Sequence, residues 1–490
     1  MEKPINAFPG YECVWSNKEN KYLNMYRGVN LGRGGWVYTE PGIYTNIALL
    51  DVASLHPTSI VMLNKLGKYT QRYADLRKAR VCIKHGNYEE AGKLFDGKLK
   101  PYLTDKDSAD SLSSALKLPL NAFFGISCAT FDNPAKDSRD KNNIIALRGA
   151  LFMKTLFDEV VSRGYRIIHV KTDSVKVVNA DPSIVQFIQN FAKKYGYEIE
   201  HEAVYDRICL VDKSQYIAAY MKAEECEKRY GYIPSANAKH FKKHMHPWTA
   251  TGDMFQHPYA FKTLFSGEPV IFDDYCELKT VKDAAIYLDM NEKLKDVSVF
   301  EKELSKRQHN EEYSEKPVKL NKDLSQYSDN DLQEQIAKGH NYAFIGRTGR
   351  FVPIKSGAGG GTMLVNRNGK YDSVNGSKGY RWLEAEVVRE LNKQDIIDIS
   401  YYDAMIDEKI KEVNKFGSFE RFIDTSKPYI PPNQEPQDDD GEPPWNELPP
   451  VVPCGDTKYN TCIECRSYKD GICKNGYSLN AYIENGGDSD

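Results

Sequence analysis

Along the first 63 residues, apolar side chains come in short runs broken by turn signals. RGGWVYTEPGIYTNIALLDVASL sets β-branched and aromatic stretches between Gly-Gly and Pro-Gly, which predicts strands. From Asn64 to Leu99 the pattern changes: Arg and Lys recur at helical intervals through KYTQRYADLRKARVCIKHGNYEEAGKLF with no proline inside, predicting a basic helical arm. A second helix is expected from Ser108 to Ile126, pairing with the first as an antiparallel hairpin that projects from the strands. In NIIALRGALFMKTLFDEVVSRG the apolar residues return at helical spacing, and Gly164 offers a C-terminal cap. YRIIHVKTDSVKVV then reads as a β-hairpin around the four polar residues KTDS. Such alternation belongs to the α+β class. From Val204 to Ile423 strands and helices mix, around SGAGGGT and VNGSKGYRW, without a legible topology. Residues 425–453 are Pro-rich and acidic, an extended linker, and residues 454–490 form a small tail.

Length and charge narrow the classes. At roughly 150 residues per domain, a chain of 490 residues holds about three domains and a sizeable core. A net charge of -3 argues against whole-surface attraction to nucleic acid but permits local basic faces. No apolar run is long enough to span a membrane, so no membrane association is expected. The start MEKPINAFPGYECVW has no basic stretch followed by an apolar one, so a cytoplasmic location without disulfides is expected.

Three segments carry candidate chemistry. In DVASLHPTSI the apolar strand NIALL delivers Asp51 at its end, and Pro57 marks the start of a helix; by itself this is equally a strand-terminal Asp capping a helix. In KLPLNAFFG, Lys117 and Asn121 share a helical face, and Arg80 and Lys84 repeat that spacing on the first arm. Two facing helices would thus turn three cations and an amide towards one groove, which suits a triphosphate; alone, Arg80 and Lys84 would read as a solvated face. KTDS places Asp173 at a hairpin tip. Two carboxylates on neighbouring strand ends can bridge a pair of Mg²⁺ ions, an arrangement that fits nucleotidyl transfer.

In this order DVASLHPTSI, KLPLNAFFG and HVKTDS resemble the three polymerase motifs of the family B DNA polymerases, the phage-type members in particular, over residues 30–216. The resemblance implies a right hand: palm in 1–63 and 131–210, fingers in 64–130, thumb and a C-terminal extension in 211–424, then the linker and the Cys-rich tail. It implies Asp51 and Asp173 as catalytic acids and Asp51, Val52 and Asp173 as ligands of two Mg²⁺ ions. Ser54, Leu55, His56, Arg80, Lys84, Lys117 and Asn121 would meet the incoming dNTP. Gly34, Gly35, Lys171, Lys213 and Tyr216 would contact primer–template DNA. The implied activity is DNA-directed DNA synthesis in viral replication, placing the protein in host cytoplasm. A proofreading exonuclease precedes the palm in this family, whereas about fifty residues precede Asp51 here; the expectation is a split enzyme whose exonuclease half is a separate chain, with synthesis without proofreading as the alternative.

Departures from the pattern matter. His56 stands where the family has a Tyr that excludes a 2′-hydroxyl, which leaves relaxed sugar selection as an alternative. Lys171 replaces the first acid of Asp-Thr-Asp; it is expected to lower the pKa of Asp173 and to lie near backbone phosphate. Ala122 and Phe124 lack family hydroxyls, and KSQY has one cation fewer than usual. A non-catalytic DNA-binding scaffold is the competing class, although a scaffold needs neither the acids nor the nucleotide-binding residues.

Weaker signals remain. Cys454, Cys462, Cys465 and Cys473 are expected to hold Zn²⁺, with an iron–sulfur cluster or free thiols as alternatives. Cys13, Cys82, Cys128, Cys209, Cys226 and Cys276 read as buried small apolar residues. Gly357, Gly359, Gly360 and Gly361 read as a flexible loop rather than a phosphate cradle. His240, His244 and His246, with Lys239, Lys242 and Lys243, read as a DNA-facing basic segment beside Trp248, a metal site being the alternative.

Overall fold

The alternation along GIYTNIALLDV decides the layout. In the computed structural model, which describes residues 7–129, 131–133, 143–291, 303–304, 307, 328–339, 341–367, 370–431, 468–469 and 472–473, these residues form one strand. Strands β1 (Tyr11–Ser16), β2 (Lys21–Tyr26) and β3 (Val29–Asn30) make a small antiparallel sheet. Next come β4 (Val37–Thr39), β5 (Gly42–Val52), β6 (Arg166–Lys171), β7 (Ser174–Val178), β8 (Ile199–Leu210), β9 (Tyr216–Tyr220) and β10 (Trp248–Thr251). They build a seven-stranded sheet in the order β10-β9-β8-β5-β7-β6-β4. Ala48, Leu50 and Val52 share one buried cluster with Leu151 and Phe152 of α5 (Ile144–Val161) and Ile188 of α6 (Pro182–Lys194). Ile47 and Leu49 belong to a cluster on the other face, and side chains two apart share a face. Asp51 therefore ends the strand on the side away from the two helices.

The arm is more broken than its periodicity predicts. After α1 (Leu55–Met62), α2 runs Thr70–Lys84 and stops at His85; Gly86 takes φ +74° and Asn87 caps α3 (Tyr88–Lys93) by accepting from Glu90 N–H. The second arm is α4 (Lys106–Ser127), capped by Asp105. Tyr73 near the start of α2 packs with Leu120 late in α4, while Ile83 at the other end meets Ala109 and Leu116. The two helices are thus antiparallel, and the Tyr73 hydroxyl donates to the Leu120 carbonyl at 2.7 Å.

Several expectations change. A palm boundary at residue 210 divides the main sheet, because β9 and β10 continue it to Thr251. The hairpin turn is two residues, not four: Lys171 and Ser174 pair across it, with Thr172 at φ +59°. The glycine cluster is packed in its second half, whereas Gly357 is exposed and Gly359 has open space around it. A Cβ on Gly360 would fall 2.6 Å from the Trp382 carbonyl oxygen and one on Gly361 2.8 Å from that of Asp289, and Arg381 donates to the Gly359 carbonyl at 3.0 Å. Cys13 and Cys128 are exposed, on a strand of the small sheet and at the end of α4, while Cys209 and Cys226 are buried. Trp248 is buried against Phe265 and Phe422 and is no stacking surface for DNA.

The linker also begins later than its composition suggests. Tyr429 is buried in the cluster of Trp248 and Phe422, and the fully buried Arg207 donates to the carbonyls of Phe422 at 3.1 Å, Asp424 at 2.9 Å and Lys427 at 2.7 Å. The remainder of the linker, Cys454, Cys462 and Cys465 lie outside the described residues. Cys473 ends a two-residue strand, Ile472–Cys473, antiparallel to Tyr468–Lys469. Met1–Gln434 and Glu435–Asp490 are separate units.

Because one guanidinium gathers these carbonyls, Arg207→Met should free residues 421–427. Amide hydrogen exchange there is expected to speed by at least about tenfold, the equivalent of one lost charge-assisted hydrogen bond, with exchange in β5 unchanged.

Candidate active site

Three backbone constraints bring the acids together. Asp51 pairs with Ser174 on β7 and with Glu200 on β8. Val52 N–H then donates to the Asp173 carbonyl at 2.8 Å, which seats the hairpin tip beside the end of β5. Behind the tip, Thr172 N–H donates to the Trp36 carbonyl at 3.2 Å, and Gly35, at φ +127°, approaches so closely that a Cβ would stand 3.2 Å from the Thr172 methyl. Gly34 beside it is exposed with open space around it.

A cavity of about 340 Å³ opens over the two acids. Asp51, Val52 and Asp173 line it together with Ser54, Leu55 and His56 of the β5–α1 junction, Arg80 and Lys84 of α2, Lys117 and Asn121 of α4, and Glu200. Ser54 holds a left-handed backbone, φ 61° and ψ 56°, at the head of α1, a strained conformation for a residue with a Cβ. Arg80 Nε is buried without a hydrogen-bond partner among the described residues. Lys84 Nζ lies 2.9 Å and His85 Nε2 3.0 Å from opposite oxygens of Glu200. The His56 imidazole stacks flat on Phe124, centroids 4.0 Å apart at 5°. The two aromatic departures from the family pattern therefore lie against each other, and burial lowers the His56 pKa.

The charge balance shows what the pocket lacks. Burial, then Asp173, Glu202 and Glu200, push the Asp51 carboxyl up to about 8, with Lys84 opposing. Asp173 is raised as well, by burial and then by Glu202. This overturns the expectation that Lys171 lowers Asp173: Lys171 instead bears on Lys176 and Tyr216. Burial raises Glu200 too, but its bonds to Lys84 and His85 win and hold it low. Two buried carboxyls that resist ionising side by side match the donor set for a divalent cation, whose charge favours the ionised pair.

Other expected contacts are placed differently. Lys213 is exposed on the β8–β9 loop, whereas Tyr216 is buried, its ring 4.5 Å from Lys176 Nζ. Glu200, Glu202 and His85 were missed in the sequence. The alternating acids of IEHEA were the available signal, since residues two apart share a strand face. His244, His246 and Glu268 also cluster, with His246 Nε2 3.6 Å from Glu268. Trp248 N–H donates to His246 Nδ1 at 3.2 Å, which leaves the neutral ring's proton on Nε2, the nitrogen a metal would need.

No family model and no curated protein matches the chain. Among solved structures it is similar to the family B DNA polymerase from the hyperthermophilic archaeon Pyrobaculum calidifontis, at 11% identity and a TM-score of 0.36. The likeness covers 82% of this chain and 49% of that one, so the chain spans about half the length of that polymerase. No helix among the described residues is long and apolar enough to cross a membrane.

Between its ordinary value of about 4 and about 8, Asp51 is protonated when folded and ionised when unfolded, so stability falls as pH rises through that window. At pH about 8 without divalent cations, Asp51→Asn should melt a few degrees above wild type, the gap closing towards pH about 4. Mg²⁺ should raise the melting temperature of wild type more than that of the variant, as read by scanning fluorimetry.

Proposed function

We propose that the protein is a DNA-directed DNA polymerase that extends a primer 3′-hydroxyl by nucleotidyl transfer, with the main sheet as palm and α2 to α4 as fingers. One observation carries this reading: a carboxylate at the end of β5 and one in the adjoining β6–β7 turn share a cavity with three cations and an amide from two antiparallel helices. A triphosphate needs several fixed cations, and the orphaned Arg80 Nε offers an unused donor. In this reading Arg80, Lys84 and Lys117 grip the triphosphate, Asn121 supports it, and the first amides of α1 near Ser54 and Leu55 meet its phosphates. Lys84 exchanges Glu200 for phosphate, a small cost because a partly exposed ion pair is worth about 0–1 kcal/mol.

Asp51, Asp173 and the Val52 backbone would hold two Mg²⁺ ions, which when bound supply activation of the attacking hydroxyl and neutralisation of the leaving pyrophosphate. Gly34 and Gly35 lie on the template side, Lys171 and Lys213 take backbone phosphate, and Tyr216 acts from beneath. A separate chain carrying proofreading activity, a role in viral replication, and Zn²⁺ on the tail cysteines complete the proposal. A second reading, relaxed sugar selection, is supported by His56, which lines the cavity stacked on Phe124 with a ring shorter than tyrosine.

Primer extension with Mg²⁺ tests the assignment. Asp51→Asn and Asp173→Asn should each lose at least about a thousandfold in rate while still binding DNA; either variant working at the wild-type rate would rule the mechanism out. His56→Ala should raise ribonucleotide incorporation by about tenfold or more, and an unchanged dNTP-to-rNTP ratio would remove His56 from sugar selection.

A further inference from the structure

The palm sheet contains a charged residue that the proposed chemistry leaves unused. Lys176 stands between Val175 and Val177 in β7, is 3% exposed, and forms no ion pair among the described residues. Its Nζ lies 3.0 Å from His169 Nδ1 on β6. The other ring nitrogen faces a backbone carbonyl, which can only accept, so the neutral imidazole carries its proton on Nε2 and Nδ1 accepts from the Lys176 amine. Nε2 is 3.2 Å from the Lys213 carbonyl oxygen and donates to it.

A directed chain therefore runs from the strand following Asp173, through His169, to the loop between β8 and β9. Burial and the nearby Lys176 push His169 down to about 3, so the ring stays neutral and the direction of the chain holds. The Tyr216 ring closes over the amine. Burial lowers the Lys176 pKa, with Lys171 adding to that and Tyr216, Asp51 and Glu202 opposing it. Filling this space does not by itself explain a lysine, since a buried cation costs several kcal/mol that an apolar side chain of similar length avoids. On the far side Asp212 accepts from Ser214 N–H at 2.6 Å and from Gln215 N–H at 2.9 Å, and Gln215 Oε1 accepts from Met254 N–H at 3.1 Å, so among the described residues the His169 bond is the one that ties the loop towards β6 and β7.

We propose that Lys176 is a positioning residue that, through His169, sets the Lys213 loop relative to Asp51 and Asp173, so that a primer strand held by the loop presents its end to the acids. The part concerning DNA rests on the polymerase reading; the tether itself does not.

The test compares Lys176→Met, which keeps the length and removes the donor, with His169→Phe and His169→Gln. Gln retains a donor for the Lys213 carbonyl. Primer–template affinity by anisotropy is expected to weaken by about tenfold in Lys176→Met and His169→Phe, the loss of roughly one buried charge-assisted bond. The KM for dNTP should stay within about twofold, His169→Gln should be largely rescued, and the double variant should be no worse than either single one. Amide exchange across 211–216 should speed in the two deficient variants. Unchanged DNA affinity together with unchanged loop exchange would overturn the proposal. So would equal losses in DNA affinity and dNTP KM, the mark of a generally distorted palm. If wild type neither binds nor extends primers, the polymerase reading fails alone, and loop exchange still decides the tether. Should Lys176→Met not fold, the two His169 variants carry the same comparison.

Discussion

The register of β5 against β7 is the constraint on which the site depends, and the Val52 N–H bond to the Asp173 carbonyl is its last rung. Side chains alternate with period two along a strand, so a slip of one residue would turn Asp51 towards the helices and Leu50 towards the cavity. The apolar partners on the helix side exclude that slip. Leu50, Leu151 and Phe152 are fully buried, and burying such side chains contributes roughly 2 kcal/mol apiece. Packing on one face of the sheet thus positions chemistry on the other.

Electrostatics on the open face are left unbalanced in a useful way. Asp51 and Asp173 have been drawn out of water beside Glu200 and Glu202, and the carboxyl of Asp51 answers by holding its proton. The cations that line the cavity come from the arm, and one of them, Lys84, is already engaged by Glu200. Glu200 therefore sits between the two halves of the cavity, paired in register with an acid and bonded to a base. The arm and the sheet are joined there by contacts weak enough to be exchanged.

Beneath the cavity the same face is polar and buried. Lys176, His169 and Tyr216 form a network behind the acids, with the Tyr205 ring 6.4 Å from that of Tyr216. In a low-dielectric setting such groups hold one another in fixed directions. Arg207 does comparable work at the other end of β8, drawing the chain's later segment onto the sheet.

What could be read from the chain was local. The strand delivering Asp51, the paired cations of two helices and the Asp173 turn are each set by neighbours a few residues away, where alternation, helical spacing and turn chemistry act. Meetings between distant residues escaped it. Nothing nearby marks Glu200 as the partner of Lys84, Phe124 as the platform for His56, or the Lys213 carbonyl as the end of a chain begun at Lys176. Nothing local set Lys176 apart between its valines, and a Pro-rich stretch looked free until Arg207 captured the Lys427 carbonyl near its start. These outcomes depend on burial and on the register of strands far apart in sequence. The free energy that selects them is that of removing groups from water together, which exists only once the chain has folded.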